Sequence, residues 1–479
     1  MTQHSFAKKT AVTTFWATID KVGVLGIQFV VSLVLARLLT PSDYGVIAMF
    51  MIFIAIAQQF VECGFGNALI RKQDCTQKDL STAFFFNIGI ALIAYLIIFF
   101  LAPVIASFYD MPMLNKILRI YGLAIILNSF SIVQNAILTK RLAFKKIAKF
   151  NIISNLLTGV FAIALAYHGW GVWALVFQAL FASLLTSCFL GVVTKWYPNL
   201  LFDRESMNYL WGFGSKMLLS GLISTIYSNI YSLVIGKFYD SRSLGLFNRG
   251  QQLSLLFPNI LNSAFGRTTL PLLAEVQNDK ERLSSIYRQF VIISVLISYP
   301  LVFLTFVLAK PFILFFLTEK WAGAIIYVQI FAVSALTSAP GIINLNLLQA
   351  VGRSDLTLKA DIIKKVIGFI VIGLLIFTSP LVLAIGSSLL NIFIYIVNVY
   401  YARKVLSLSY LSQFKDQLPY FISSLLMAIV IYLVNCNIPN HLLQLIIGSC
   451  MGLIIYYLIS RYVFRTEYYG KLLILMKAR

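Results

Sequence analysis

Charged residues are scarce in this sequence. They make up 11% of the 479 residues, whereas hydrophobic residues make up 60%. A soluble protein of this length could not cover its surface with so few charges, so the composition excludes a soluble fold and is typical of a polytopic membrane protein. Acidic residues are the scarcest charged group, with 17 Asp and Glu against 38 Lys and Arg.

Residues suited to catalysis or metal binding are also few. The three histidines, His4, His168 and His441, lie at predicted helix ends or loops, and the sequence has no metal-ligand spacing and no Walker-type glycine loop. The five cysteines are scattered over predicted spans and loops, which argues against a disulfide framework. The sequence therefore predicts neither an enzyme nor a cofactor.

Fourteen apolar runs are long enough to cross about 30 Å of hydrocarbon as helices of about 20 residues. They lie near residues 11–36, 45–66, 82–108, 117–138, 147–167, 170–194, 212–236, 248–270, 286–309, 322–350, 362–378, 380–402, 417–435 and 441–464. We therefore predict an all-α polytopic membrane protein with about 14 transmembrane helices.

The basic residues follow the positive-inside rule. With the N-terminus inside, the inner loops and both tails hold roughly 28 Lys and Arg residues and the outer side about 8. Both termini are therefore predicted to be cytoplasmic. Because the charge is spread over short loops, it indicates contact with anionic membrane lipids and argues against a nucleic-acid partner.

One stretch of the chain recurs at a fixed offset. Ser32, Leu33, Val34 and Gly45 recur as Ser232, Leu233, Val234 and Gly245, and Phe65-Gly66 recurs as Phe265-Gly266. Each copy reads as an apolar helix, a short polar turn with a glycine and a second apolar helix. We interpret the pattern as an internal duplication, and two such halves are typical of transporters.

Ionisable residues within spans are functional candidates, because a charge near mid-bilayer costs roughly 2.5 to 3.5 kcal/mol. The candidates are Asp20, Lys21, Glu62, Lys216, Arg249 and, at the inner end of the same helix as Arg249, Arg267. Lys21 and Lys216 either line a cavity or extend toward the cytoplasmic headgroups. Asp20 with Lys216, or Glu62 with a nearby cation, could pair across helices.

The seventh span carries a polar stripe at spacings of three and four residues. It consists of Lys216, Ser220, Ser224, Tyr227, Ser228 and Tyr231. Lipid does not suit such a face, so we expect the stripe to line a wet cavity, while each serine taken alone fits helix packing as well. Cations in such a cavity fit an anionic substrate.

Four stretches carry a family resemblance. They are LARLLTPSDYGVIA (Leu35 to Ala48), FVECGFGNALIRKQD (Phe60 to Asp74), IGKFYDSRSLGLFNRGQQL (Ile235 to Leu253) and LQAVGRSDLTLK (Leu348 to Lys359). Together they resemble the polysaccharide transporter family of the MOP superfamily, the Wzx-type flippases of O-antigen and capsular repeat units. The resemblance covers nearly the whole chain.

The resemblance implies a bacterial inner-membrane protein that moves undecaprenyl-pyrophosphate-linked oligosaccharide to the periplasmic leaflet by alternating access. It implies two six-helix lobes, residues 1–200 and 201–410, followed by two further helices and a basic tail in residues 411–479. The expected partners are the lipid-linked oligosaccharide, membrane lipids and the polysaccharide polymerase machinery. Energy would come from a substrate gradient or from a proton or sodium gradient.

The predicted site combines the intramembrane charges with this substrate. We expect Lys21, Lys216, Arg249 and Arg267 to hold the pyrophosphate, with Tyr227 and Tyr231 lining the same cavity. Asp20 and Glu62 are the predicted intramembrane acids for coupling, and Asp20 falls where relatives often carry an acid in the first helix. The alternatives are a cation-coupled small-molecule exporter of the same fold and, in a different class, a membrane polysaccharide polymerase or ligase.

Overall fold

The computed structural model describes residues 3–406 and 410–463, and all regular secondary structure in them is helical. The chain forms two compact units, Met1–Gly245 and Leu246–Arg479. The helices of the first unit are α1 (Gln3–Leu38), α2 (Pro41–Glu62), α3 (Phe65–Arg71), α4 (Gln77–Phe108), α5 (Met113–Tyr121), α6 (Leu123–Lys140), α7 (Phe144–Tyr167), α8 (Val172–Thr194) and α9 (Arg204–Phe238).

The division between the units falls inside α10 (Ser241–Ser254). The further helices of the second unit are α11 (Leu256–Glu275), α12 (Lys280–Phe312), α13 (Ala324–Ala335), α14 (Ser338–Ala350), α15 (Ser354–Leu375), α16 (Pro380–Leu406), α17 (Tyr410–Cys436) and α18 (His441–Leu458). Short π-helical turns follow α12 at Ile313–Leu317 and α18 at Ile459–Val463, and a 3₁₀ turn lies at Glu319–Trp321.

Twelve stretches of the described chain are long and apolar enough to cross a membrane. The chain is therefore a multi-pass membrane protein of the predicted class. Two predicted spans are not among the twelve. Residues 248–270 fall on α10 and α11, which are rich in amides, and residues 362–378 fall on α15, which carries Asp361, Lys364 and Lys365. The count of fourteen stays a prediction.

The duplicated stretch folds in the same way in both copies. The break between α1 and α2 and the break between α9 and α10 lie at equivalent positions of the repeat. A polar side chain starts the new helix each time: Thr40 accepts a hydrogen bond from the amide of Asp43 (3.3 Å), and Asp240 accepts one from the amide of Ser243 (2.6 Å). Such caps satisfy amides that lack a partner at a helix start.

The starts of α2 and α10 cross each other at very short range within the first unit. A Cβ placed on Gly45 would lie 1.7 Å from the carbonyl oxygen of Ser241, and a Cβ placed on Gly245 would lie 1.9 Å from that of Pro41. The hydroxyls of Ser42 and Ser241 are 2.5 Å apart. Residues 41 and 45 thus meet the residues that repeat them, so the two helix starts contact each other reciprocally.

A buried hydrogen-bond network holds α17 in the second unit. Tyr299 of α12 donates to Gln417 (2.7 Å), and Gln417 donates to Tyr395 of α16 (2.8 Å). Tyr287 of α12 donates to Gln413 (3.1 Å). Because each polar group here has a partner away from water, the network stabilises one position of α17 against α12 and α16.

Candidate functional site

A polar pocket of about 400 Å³ opens in the first unit between α2, α3 and α6. Its polar lining consists of Gln58 and Glu62 of α2, Asn67 of α3, and Asn128, Ser131, Asn135 and Thr139 of α6. All three helices belong to stretches able to cross a membrane. Polar groups on such helices are costly unless they face protein or water, so the pocket is a candidate site by default.

The pocket owes its shape to the break between α2 and α3. Cys63 and Gly64 adopt left-handed backbone conformations with φ of 44° and 66°. A Cβ on Gly64 would lie 2.6 Å from the Cβ of Met217 in α9, so both its φ and its surroundings require glycine. After the break, Phe65 and Leu69 of α3 are buried in the core of the first unit. The break therefore exposes the end of α2 while α3 stays anchored.

The amide side chains of the pocket are open to a ligand. Gln58, Asn67, Asn128 and Asn135 make no side-chain hydrogen bond to any residue that the structure describes. Glu62 is exposed, and no cation of the described residues lies within 4.0 Å of its carboxylate. The pocket thus offers amide donors, amide acceptors and one carboxylate.

The lysines next to the pocket are bonded to the protein. The ammonium group of Lys140 donates to the carbonyl oxygens of Lys72 and Gln73, the second at 3.1 Å. Lys72 in turn donates to Asp79 at 2.7 Å, and this hydrogen bond raises the pKa of Lys72. These cations fix the loop after α3, and neither belongs to the pocket lining.

Asp20 has a neutral partner. Its carboxylate accepts hydrogen bonds from the side-chain amide of Asn151 in α7 at 3.0 and 3.2 Å. About two turns farther along α1, Gln28 donates to Asn155 (3.0 Å). Asp20 and Lys216 form no ion pair among the described residues, so that suggested pair is wrong. The reason is that α1 packs along α7, and Asp20 faces this helix.

The polar stripe of α9 is mostly exposed, and its lining of a wet cavity stays a prediction. Lys216 and the serines at 220, 224 and 228 are exposed, whereas Tyr227 and Tyr231 are half-buried. Beside the stripe, α9 packs closely on α2: a Cβ on Gly221 would lie 2.1 Å from the side-chain oxygen of Gln59. At the end of α9, Lys237 pairs with Asp110 at 3.2 Å. Lys21, on α1, is exposed.

The two arginines of the predicted site differ in their exposure. Arg249 on α10 is only 3% exposed, donates to Gln252 (3.0 Å) and lies 5.8 Å from the ring centre of Trp321, which is fully buried. Its charge is therefore engaged inside the second unit. Arg267 on α11 is exposed. A role of either in binding substrate stays a prediction.

Only Glu62 of the predicted site residues lies in the pocket. The pocket residues that sequence reasoning missed are Asn67, Asn128, Ser131, Asn135 and Thr139. The four on α6 follow spacings of three and four residues, so they form a stripe of the kind that was read in the seventh span. The fourth predicted span therefore carried a polar stripe, but the stripe was missed because its side chains are uncharged and the candidates were chosen for being ionisable.

A second, mainly apolar cleft of about 760 Å³ lies in the second unit among α12, α13, α17 and α18. Its apolar lining includes Phe303, Phe306, Val307, Leu425 and Ile429, and its polar lining includes Lys310, Gln329, His441 and Gln444. This chemistry suits a hydrocarbon chain that ends beside a polar group.

Comparison with known proteins identifies relatives along most of the chain. Residues 34–326 match the family described as polysaccharide biosynthesis protein. The succinoglycan biosynthesis transport protein ExoT of Rhizobium meliloti (strain 1021) is 26% identical over 472 residues, which are 95% of this chain and 93% of that protein.

Two solved structures share the fold. The lipid II flippase MurJ in an inward closed conformation superposes with a TM-score of 0.74 at 14% identity, over 95% of this chain and 99% of that one. An inward-facing multidrug resistance MATE family transporter of the MOP superfamily gives a TM-score of 0.60 at 15% identity, over 82% and 94% of the two chains. At such identities the likeness is one of fold, and it confirms the predicted fold class.

Proposed function

The chain belongs to the polysaccharide biosynthesis protein family, and from this premise we propose that it is a flippase for lipid-linked oligosaccharide repeat units in the bacterial inner membrane. The observation that carries the proposal is the match along 95% of the chain to a transport protein of polysaccharide synthesis. The fold of a lipid II flippase supports a lipid-linked cargo. On this proposal undecaprenol carries the glycan through a pyrophosphate, and alternating access moves it outward.

The exposed cations are proposed to receive the pyrophosphate. Lys21, Lys216 and Arg267 are exposed on helices α1, α9 and α11. A diphosphate leaving the headgroup region needs paired cations to offset the loss of its hydration. Arg249 would take part only if a conformational change released it from Gln252. The half-buried Tyr227 and Tyr231 would line the same α9 stripe about three and four turns beyond Lys216.

Coupling to a proton or sodium gradient is proposed for Asp20 and Glu62. Asp20 is half-buried against Asn151 on a membrane helix, so loss or gain of a proton would change the bonding between α1 and α7. Carboxylate and amide oxygens are also suitable ligands for a hard cation. Glu62 opens into the polar pocket of the first unit.

The second candidate is a cation-coupled exporter of small molecules, favoured by the MATE-like fold. Exposed lysine and arginine on the membrane helices disfavour cationic drugs as its cargo. Contact with polysaccharide polymerase machinery and cytoplasmic placement of both termini belong to the leading proposal.

The test is depletion of the protein in its host, followed by fractionation of lipid-linked repeat units by membrane leaflet. The proposal predicts that they accumulate on the cytoplasmic face while the protein is absent. Accumulation on the periplasmic face would point to a defect after translocation and would contradict the proposal.

A further inference from the structure

We propose that the polar pocket between α2, α3 and α6 binds the sugar residues of the cargo through their hydroxyl groups, separately from the pyrophosphate. This inference rests on the proposed function and assigns the glycan, rather than the phosphate, to a set of uncharged side chains.

The chemistry of the lining excludes the diphosphate as its ligand. None of the residues that line the pocket is basic, and Glu62 places a carboxylate in it. A diphosphate beside this carboxylate would meet a like charge with no compensating cation. The nearest loop lysines are bonded to backbone carbonyls and to Asp79. A neutral ligand is therefore favoured.

The donors and acceptors match hydroxyl groups. A sugar hydroxyl both donates and accepts, and each of the amides of Gln58, Asn67, Asn128 and Asn135 offers both functions. These amides have no side-chain partner among the described residues, so a ligand or water must satisfy them. Glu62 accepts only, and a hydrogen bond from a hydroxyl to its carboxylate would be the strongest contact in the pocket.

The size and position of the pocket agree with this role. A volume of about 400 Å³ lies within the range of small-molecule sites. On the predicted topology α2 and α6 both run inward, and the pocket lies toward their ends, near the loop that holds Lys72. The glycan would therefore meet these amides as it enters from the cytoplasmic side.

Gly66 provides a way to fill the pocket without disturbing the fold. A Cβ on Gly66 would meet only a methyl of Ile132, at 3.8 Å, and its backbone has no left-handed conformation. Gly66→Leu should therefore occupy the pocket, and Asn135→Ala should remove one amide. Asn208→Ala is the matched control, because Asn208 is exposed on α9 outside the lining.

The first experiment measures surface polysaccharide in a depleted strain that expresses each variant. We expect Asn135→Ala to lower the amount of surface polysaccharide roughly fivefold, as for one lost hydrogen bond, and Gly66→Leu to lower it further. Asn208→Ala should leave the amount unchanged. All variants should be present in the membrane at the same level as wild type. If wild type restores export and Gly66→Leu restores it equally, the pocket proposal is overturned while the flippase proposal stands. If export does not depend on wild type, the flippase proposal itself fails.

The second experiment measures binding in the purified chain. The probe is the rate of maleimide reaction at Ile70→Cys, an exposed apolar position of the pocket lining, with Cys75, Cys188, Cys436 and Cys450 replaced by serine. The ligands are single repeat units released by hydrolysis of the host's own polysaccharide and, separately, inorganic pyrophosphate. Severalfold slowing by the glycan alone supports the proposal. Slowing by pyrophosphate alone, or by neither ligand, contradicts it.

Discussion

Replacing Gly45 with alanine should destabilise the first unit, although alanine is the better helix former. The new Cβ would lie 1.7 Å from the carbonyl oxygen of Ser241, and the equivalent Cβ in Gly245→Ala would lie 1.9 Å from that of Pro41. In both cases the obstacle is backbone rather than a flexible side chain, so the two helix starts must move apart. Such overpacking typically costs about 1 to 3 kcal/mol, while alanine in place of glycine gains about 1 kcal/mol in a helix.

The net loss of up to about 2 kcal/mol should lower the thermal midpoint by a few degrees, since each kcal/mol shifts it by about 2 to 4 °C in units of this size. Size-exclusion chromatography after heating in detergent measures this midpoint. Gly26→Ala and Gly89→Ala are matched controls, because a Cβ on either meets nothing within 4 Å, and they should leave the midpoint equal or higher. A midpoint for Gly45→Ala at or above those of the controls would refute the close crossing of α2 and α10.

Other variants test separate parts of the structure. Arg249→Ala should lower the thermal midpoint by the equivalent of about 2 kcal/mol, because it removes a buried and bonded cation. Lys216→Ala, in contrast, should reduce polysaccharide export at an unchanged midpoint. The reverse pattern would contradict these assignments. Tyr299→Phe should cost about 1 kcal/mol of unfolding free energy through loss of its hydrogen bond to Gln417, and an unchanged midpoint would argue against the network. Asp20→Asn should fold normally and abolish the response of transport in vesicles to an imposed proton or sodium gradient, which an unaltered response would disprove.

The helix boundaries were predictable where residues at the boundary itself favour a turn. The proline, the capping residues and the glycine of the turn predict the break before α2. The offset repeat then predicts an equivalent break before α10. The break at Cys63 and Gly64 was not predicted, because an apolar run continues through it and only one of its two left-handed residues is a glycine. The resemblance to polysaccharide transporters, drawn from four short stretches, is confirmed.

The candidate site was predictable only in part, because sequence shows which residues are polar but not which helices pack together. Asp20 was identified as an intramembrane acid, yet its partner Asn151 depends on the packing of α7 against α1. Arg249 was expected to hold the pyrophosphate, and its burial beside Trp321 depends on residues far along the chain. Ranking by charge identified Glu62 but passed over the uncharged stripe of α6 that faces it across the pocket.

The most direct test of the central claim is translocation by the purified protein in vesicles. Lipid-linked repeat units from the host, labelled in the glycan, are placed in the outer leaflet of proteoliposomes, and the fraction open to periodate, which does not cross the membrane, is followed over time. The account predicts that wild type makes part of the label inaccessible and that Gly66→Leu and Lys216→Ala slow this process. Label that stays fully accessible with folded wild type in the vesicles would contradict the account.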